Sequence, residues 1–124
     1  MLASAPELDG IINPGWEPAH GAPYTAFMYQ RGDVGFTIVA AFDESLGLRL
    51  AFGEEAEIPE VAEVLPRDGY DILLREGTGD FGRIHAASVA DLCGQFTLVA
   101  FAIVDDSNIL IEDLAVIAES VNCP

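Results

Sequence analysis

Arg83-Ile84-His85-Ala86-Ala87-Ser88-Val89-Ala90-Asp91-Leu92 is the stretch on which two incompatible architectures turn. As a strand it sets Ile84, Ala86, Ser88, Ala90 and Leu92 on one face; as a helix it gathers Ile84, Ala87 and Leu92. Both templates fit, so the neighbouring segments decide. The preceding half of the chain reads as an antiparallel meander, and a lone parallel crossover would be out of keeping with it. The strand is therefore the reading adopted.

The helical alternative draws its interest from the residues just before. Gly77-Thr78-Gly79-Asp80-Phe81-Gly82 is a literal G-x-G-x-x-G that follows a predicted strand, and Asp105 stands at the end of a later apolar strand, where a dinucleotide fold keeps its ribose-binding acid. Arg75 and Glu76 occupy a strand end that such folds keep apolar, Asp80 puts a carboxylate where a pyrophosphate would lie in that fold, and too little chain follows for a whole domain of this kind. A glycine-rich hairpin turn accounts for the same residues. Small-ligand or nucleotide binding at Gly77 to Gly82 remains the alternative function, and it requires Arg83 to Leu92 to be helical.

Working outward toward the N-terminus, Val34, Phe36, Ile38, Ala40 and Phe42 share one face of a period-two run, preceded by a similar run over Tyr24 to Tyr29. A third run sets Leu46, Leu48, Leu50 and Phe52 opposite Gly47, Arg49 and Ala51. Three strands are expected, with tight turns at Arg31-Gly32-Asp33 and Asp43-Glu44-Ser45. Glu54 to Leu65 is expected to form a short helix, with Pro59 in its first turn and Val61, Val64 and Leu65 on its buried side. A strand from Tyr70 to Arg75 follows.

Toward the C-terminus, Gln95 to Val104 is apolar on both faces, the mark of a strand covered on both sides and therefore central. Asp105, Asp106, Ser107 and Asn108 offer N-caps for a final helix in which Leu110, Leu114, Ile117 and Val121 form the buried seam. The expected class is α+β: an antiparallel sheet of about five to six strands with a short mid-chain helix and a C-terminal helix packed on it. Residues 24–124 form this single domain. Residues 1–23, with four prolines and three glycines, form an irregular arm whose large apolar groups are Ile11, Ile12 and Trp16.

The charge balance narrows the choice of partner. Twenty-one acids oppose five bases, all arginine, for a net charge of −16. Phosphate backbones and anionic lipid are repelled by such a field, while basic proteins are attracted. Solubility, or adaptation to high salt, is the plainer purpose of the same charge. With 51% hydrophobic residues the chain is nonetheless able to build a core, which separates it from disordered acidic tails. No apolar run approaches the roughly 20 residues of a membrane span. Met1 to Gly10 lacks the features of a signal peptide, so a cytoplasmic protein is expected, or a periplasmic or secreted one if a signal was removed.

Other motifs have simpler explanations than chemistry. Arg31-Gly32-Asp33 is turn chemistry, and Asp80-Phe81-Gly82 lacks the other parts that give a kinase triplet its meaning. His20 and His85 have no partner at zinc-ligand spacing, Cys93 and His85 have no orienting third group, and Asp105 to Asn108 with Glu112 miss the calcium-loop spacing. Cys93 and Cys123 read as two thiols unless the compartment is oxidising. Neither a cofactor nor a catalytic residue is expected.

One concentration of charge stands out. Glu54, Glu55, Glu57, Glu60 and Glu63 crowd a short segment with no base among them. Like charges three or four residues apart on a helix oppose its formation, so they mark either a solvated face or a surface kept for a basic partner. The expected function is a non-catalytic binding module of the inhibitor, immunity, secretion-chaperone or assembly type, engaging a basic protein through these glutamates together with Trp16. A homodimer is a further expectation, because a central strand needs cover on both faces.

Overall fold

A computed structural model describes residues 24–31, 34–92, 96–106 and 109–119. Among the described residues six strands form one antiparallel sheet: β1 (Tyr24–Arg31), β2 (Val34–Ala41), β3 (Glu63–Arg67), β4 (Tyr70–Gly79), β5 (Gly82–Leu92) and β6 (Phe96–Ile103). Their spatial order is β1-β2-β6-β5-β4-β3, so the last strand enters between the β1–β2 hairpin and the β3–β4–β5 meander. Helix α1 (Glu44–Phe52) follows β2, and helix α2 (Ile111–Glu119) ends the described chain. The α+β class is the one expected from the sequence. Trp16, His20, Cys93, Val121, Cys123 and the Gly32-Asp33 turn lie outside the described residues, as does the whole arm 1–23.

Period-two patterning divides the core between the two faces of the sheet. Phe36, Ile38 and Ala40 of β2, Leu98, Ala100 and Ala102 of β6, Ala87 and Val89 of β5, and Ile72 and Leu74 of β4 pack with Leu114, Ala115, Ile117 and Ala118 of α2. The opposite face joins Val99 of β6 and Ile84 and Ala86 of β5 to Leu48, Ala51 and Phe52 of α1. Because β6 is buried on both sides, it has the two-faced apolar sequence of a central strand. Arg83 to Leu92 is likewise a strand, and Ile84, Ala86 and Ser88 share its α1 side, but a register shift between Val89 and Leu92 breaks the alternation, so the single face expected to run on through Ala90 to Leu92 ends there.

Two elements differ from expectation. Leu46 to Phe52 is helical, not a third strand. The same letters fit both periods, but the buried set is Gly47, Leu48, Ala51 and Phe52, a helical stripe, with Leu46 and Leu50 half-buried. Local chemistry agrees: the Asp43 carboxylate accepts the Ser45 N–H at 3.0 Å, and the run contains no β-branched residue. Gly47 also brings the helix close to the sheet, since a Cβ there would lie 3.2 Å from Val99 Cγ2. Asp43→Ala is expected to cost about 1 kcal/mol of stability through the lost cap. A urea titration that showed no change in midpoint would overturn that assignment.

Glu54 to Leu65 is not a helix. Residues 54–62 cross one face of the sheet as an irregular strap, and Glu63 to Arg67 form edge strand β3. Pro59 disfavours the helical conformation at Ile58 and removes a donor, and glutamates three apart repel along the helix that the segment would otherwise make. Val64, assigned to the buried side of that helix, is exposed.

Helix α2 also starts differently from expectation. Val104–Asp106 form a 3-10 turn, and Leu110 rather than Asp105 or Asp106 caps the helix: its carbonyl accepts the Asp113 and Leu114 N–H groups, while the other two expected caps, Ser107 and Asn108, lie outside the described residues. Asp113 reaches back to accept the Leu110 N–H at 3.3 Å. Leu110, expected in the seam, is therefore exposed, while Leu114 and Ile117 are buried.

Candidate functional site

The glycine run is a hairpin tip pressed against the end of α1. Asp80 and Phe81 form the turn between β4 and β5, with Gly79 paired to Gly82. Each glycine has a separate structural cause. A Cβ on Gly77 would come within 2.8 Å of the Pro59 ring; one on Gly79 would enter contact with the Phe52 carbonyl and lie 3.0 Å from its Cα; Gly82 has φ of 121°. A strand, not a helix, follows them, so the turn does not lead into a helix N-terminus and the condition for the dinucleotide reading is unmet.

Long-range hydrogen bonds fasten the strap to this tip. The Asp80 N–H donates to the Phe52 carbonyl at 2.7 Å, and the Asp80 carboxylate accepts the Glu55 N–H at 3.2 Å. Gly53, at φ of 105°, turns the chain out of α1 while its N–H donates to the Arg49 carbonyl. Further along, Ala56 and Ile58 pack onto the α1 side of the core, and the Ala62 N–H donates to the Leu74 carbonyl.

Arg75 holds the middle of the strap from below. It is only 8% exposed; its Nε donates to the Pro59 carbonyl at 3.2 Å and its Nη1 to Ser88 Oγ at 3.1 Å. Both acceptors are neutral, and no carboxylate pairs with this guanidinium among the described residues. In the sequence Arg75 is merely a polar residue at a strand end. Its role depends on Pro59, sixteen positions away, and carries no local signal.

What the strap presents to solvent is charge. Glu54, Glu55, Glu57, Glu60 and Glu63 are all exposed, and none has an ion pair or a side-chain hydrogen bond among the described residues. Half-buried Ala56, Ile58, Pro59 and Val61 alternate with them and anchor the backbone. At the start of the strap, Arg49, Leu50, Gly53, Glu54, Glu55, Asp80 and Phe81 line a shallow recess of about 310 Å³. Phe81 is 66% exposed there, an aromatic ring beside two glutamates. Sequence reading passes over Phe81, because only the docking of the hairpin tip brings it to the strap.

The other face of the hairpin carries a polar recess of about 210 Å³ lined by Glu76, Gly77, Thr78, Arg83, Ile84 and His85. His85 Nε2 lies 3.7 Å from Glu76 Oε1, beyond hydrogen-bond reach, and His85 Nδ1 is buried without a partner among the described residues. Nothing in this pair activates a nucleophile, and Cys93 lies outside the described residues.

No family model, curated protein or solved structure matches this chain. Among the described residues, no helix is long and apolar enough to cross a membrane.

Proposed function

We propose that this protein is a non-catalytic binding module that engages a basic protein partner through the strap at residues 54–63. The observation that carries this reading is five exposed glutamates, free of ion pairs among the described residues, on a backbone fixed from below by Arg75 and the hairpin tip. Anchoring matters because a pre-ordered segment loses less conformational freedom on binding than a flexible acidic tail does. Exposed Phe81 supplies an apolar surface beside Glu54 and Glu55, suited to the hydrocarbon stem of an arginine or lysine whose head reaches the carboxylates. Inhibitor, immunity, secretion-chaperone and assembly roles all use such a surface, and the partner itself distinguishes them. Trp16 belongs to the same proposal as a second contact from the arm.

The test is affinity capture from lysate of the source cell at low and high salt. A basic protein is expected to be retained at low salt and released at high salt, as screening removes the charge attraction. Changing Glu54, Glu57, Glu60 and Glu63 together to Gln is expected to weaken that association by about tenfold or more while leaving the fold intact. Retention that is indifferent to both salt and the four substitutions would overturn the proposal.

A further inference from the structure

The two edges of the sheet differ in how they are protected. Edge strand β3 has five residues, is exposed on both faces except at half-buried Leu65, and includes Glu63, Pro66 and Arg67. Charge, proline and short length are the devices that keep an edge from pairing with another chain. Edge strand β1 is long and without proline: it runs eight residues, Tyr-Thr-Ala-Phe-Met-Tyr-Gln-Arg, and its one charge is Arg31 at the last position. No described strand pairs with its outer side. Its α1-side face is also left open, for Tyr24, Ala26 and Met28 are exposed, Met28 at 89%.

We propose that β1 pairs antiparallel with β1 of a second copy of this chain, giving a continuous twelve-stranded sheet. Charge argues for a second copy over other occupants. Residues 24–42 hold one base, Arg31, and one acid, Asp33, so the entire −16 resides on the remainder of the chain. Two like-charged copies can meet with least repulsion at this neutral end of the sheet. Antiparallel edge pairing is also self-complementary, as a two-fold interface requires.

The register sets the geometry. Arg31 opposite Val34 closes a two-residue connection and is a hydrogen-bonded pair, which turns the backbone polar groups of residues 25, 27, 29 and 31 toward β2 and those of 24, 26, 28 and 30 outward. A two-fold axis at Phe27 then pairs 24 with 30 and 26 with 28 across the interface, engaging every outward residue. Met28 of each copy lies beside Ala26 of the other on the open face.

This inference is independent of the glutamate strap, and salt separates the two. Association of like-charged copies strengthens as salt screens their repulsion, whereas capture of a basic partner weakens. The experiment is sedimentation equilibrium of the full chain over a wide concentration range at low and high salt. Species of one and two times 13.2 kDa are expected, with more dimer at high salt. Met28→Pro removes an outward N–H without touching the β1 to β2 ladder, and Met28→Glu adds like charge at an exposed position; each is expected to raise the dissociation constant by about tenfold or more. Far-ultraviolet circular dichroism confirms folding, and Met28→Glu decides the matter if the proline variant unfolds. The four Glu to Gln changes in the strap leave dimerisation intact or enhance it. A chain that stays monomeric throughout, or a dimer unmoved by the Met28 variants, overturns the proposal.

Discussion

Gly79→Ala is expected to destabilise the protein by about 3 kcal/mol, although it adds a single methyl group to a strand end. The added Cβ would collide with the Phe52 carbonyl and approach its Cα to 3.0 Å, and both are backbone atoms that no side-chain rotation can move aside. Relief requires the hairpin tip to separate from the end of α1. That motion lengthens the Asp80 N–H bond to Phe52 and draws the Asp80 carboxylate away from the Glu55 N–H. A urea titration of the variant beside Thr78→Ala, altered at the exposed neighbour, isolates the effect from a general loss of strand propensity. Equal midpoints for the two variants would show that this close approach does not govern the turn. A large loss in Gly79→Ala alone would tie the glycine to packing of the hairpin on α1.

Arg75→Ala is the second substitution with a large expected effect, again about 3 kcal/mol. Truncation abolishes the bonds to Pro59 and Ser88, leaves a buried hydroxyl without its donor, and opens a void under the strap. The guanidinium is itself costly to bury, and its acceptors are neutral, so the hydrogen bonds and the surrounding acidic field must offset that cost. Arg75→Met separates these contributions: it refills much of the volume but restores neither bond. Chemical denaturation is expected to rank wild type above Met and Met above Ala. Glutamate-specific proteolysis adds a local readout, with faster cleavage within residues 54–63 in both variants. A methionine variant as stable and as resistant as wild type would show that packing alone retains the strap.

Both predictions concern one long-range junction, where α1, the strap and the β4 to β5 hairpin meet. The glycine run shows how a motif changes meaning when its neighbours are known. Read alone, G-x-G-x-x-G is compatible with a phosphate loop; its glycines instead answer to a proline ring, a helix-end carbonyl and a left-handed turn residue. The segment after it adopts the strand geometry that the adjoining meander favours.

The sequence by itself determined the sheet-forming runs with strong period-two patterning, β2 and the doubly buried β6, together with the closing helix seam at Leu114 and Ile117. In these segments the apolar pattern corresponds directly to which faces are removed from water. It also determined the concentration of negative charge and the absence of lysine, which are properties of composition. Tertiary structure decided the rest. LGLRLAF satisfies both periods, and contact with Val99, Ile84 and Ala86, added to the Asp43 cap, selects the helical stripe of Leu48, Ala51 and Phe52. The spacing of Val61, Val64 and Leu65 suits a helix, yet Pro59 and the crowded glutamates oppose it locally, and Arg75 and Leu74 hold the backbone across the sheet from positions far along the chain. Phe81 reaches the strap only because β4 and β5 turn back on α1. Local periodicity records which side of an element is buried, but it carries no information about which distant backbone carbonyl, ring or charge will cover that side.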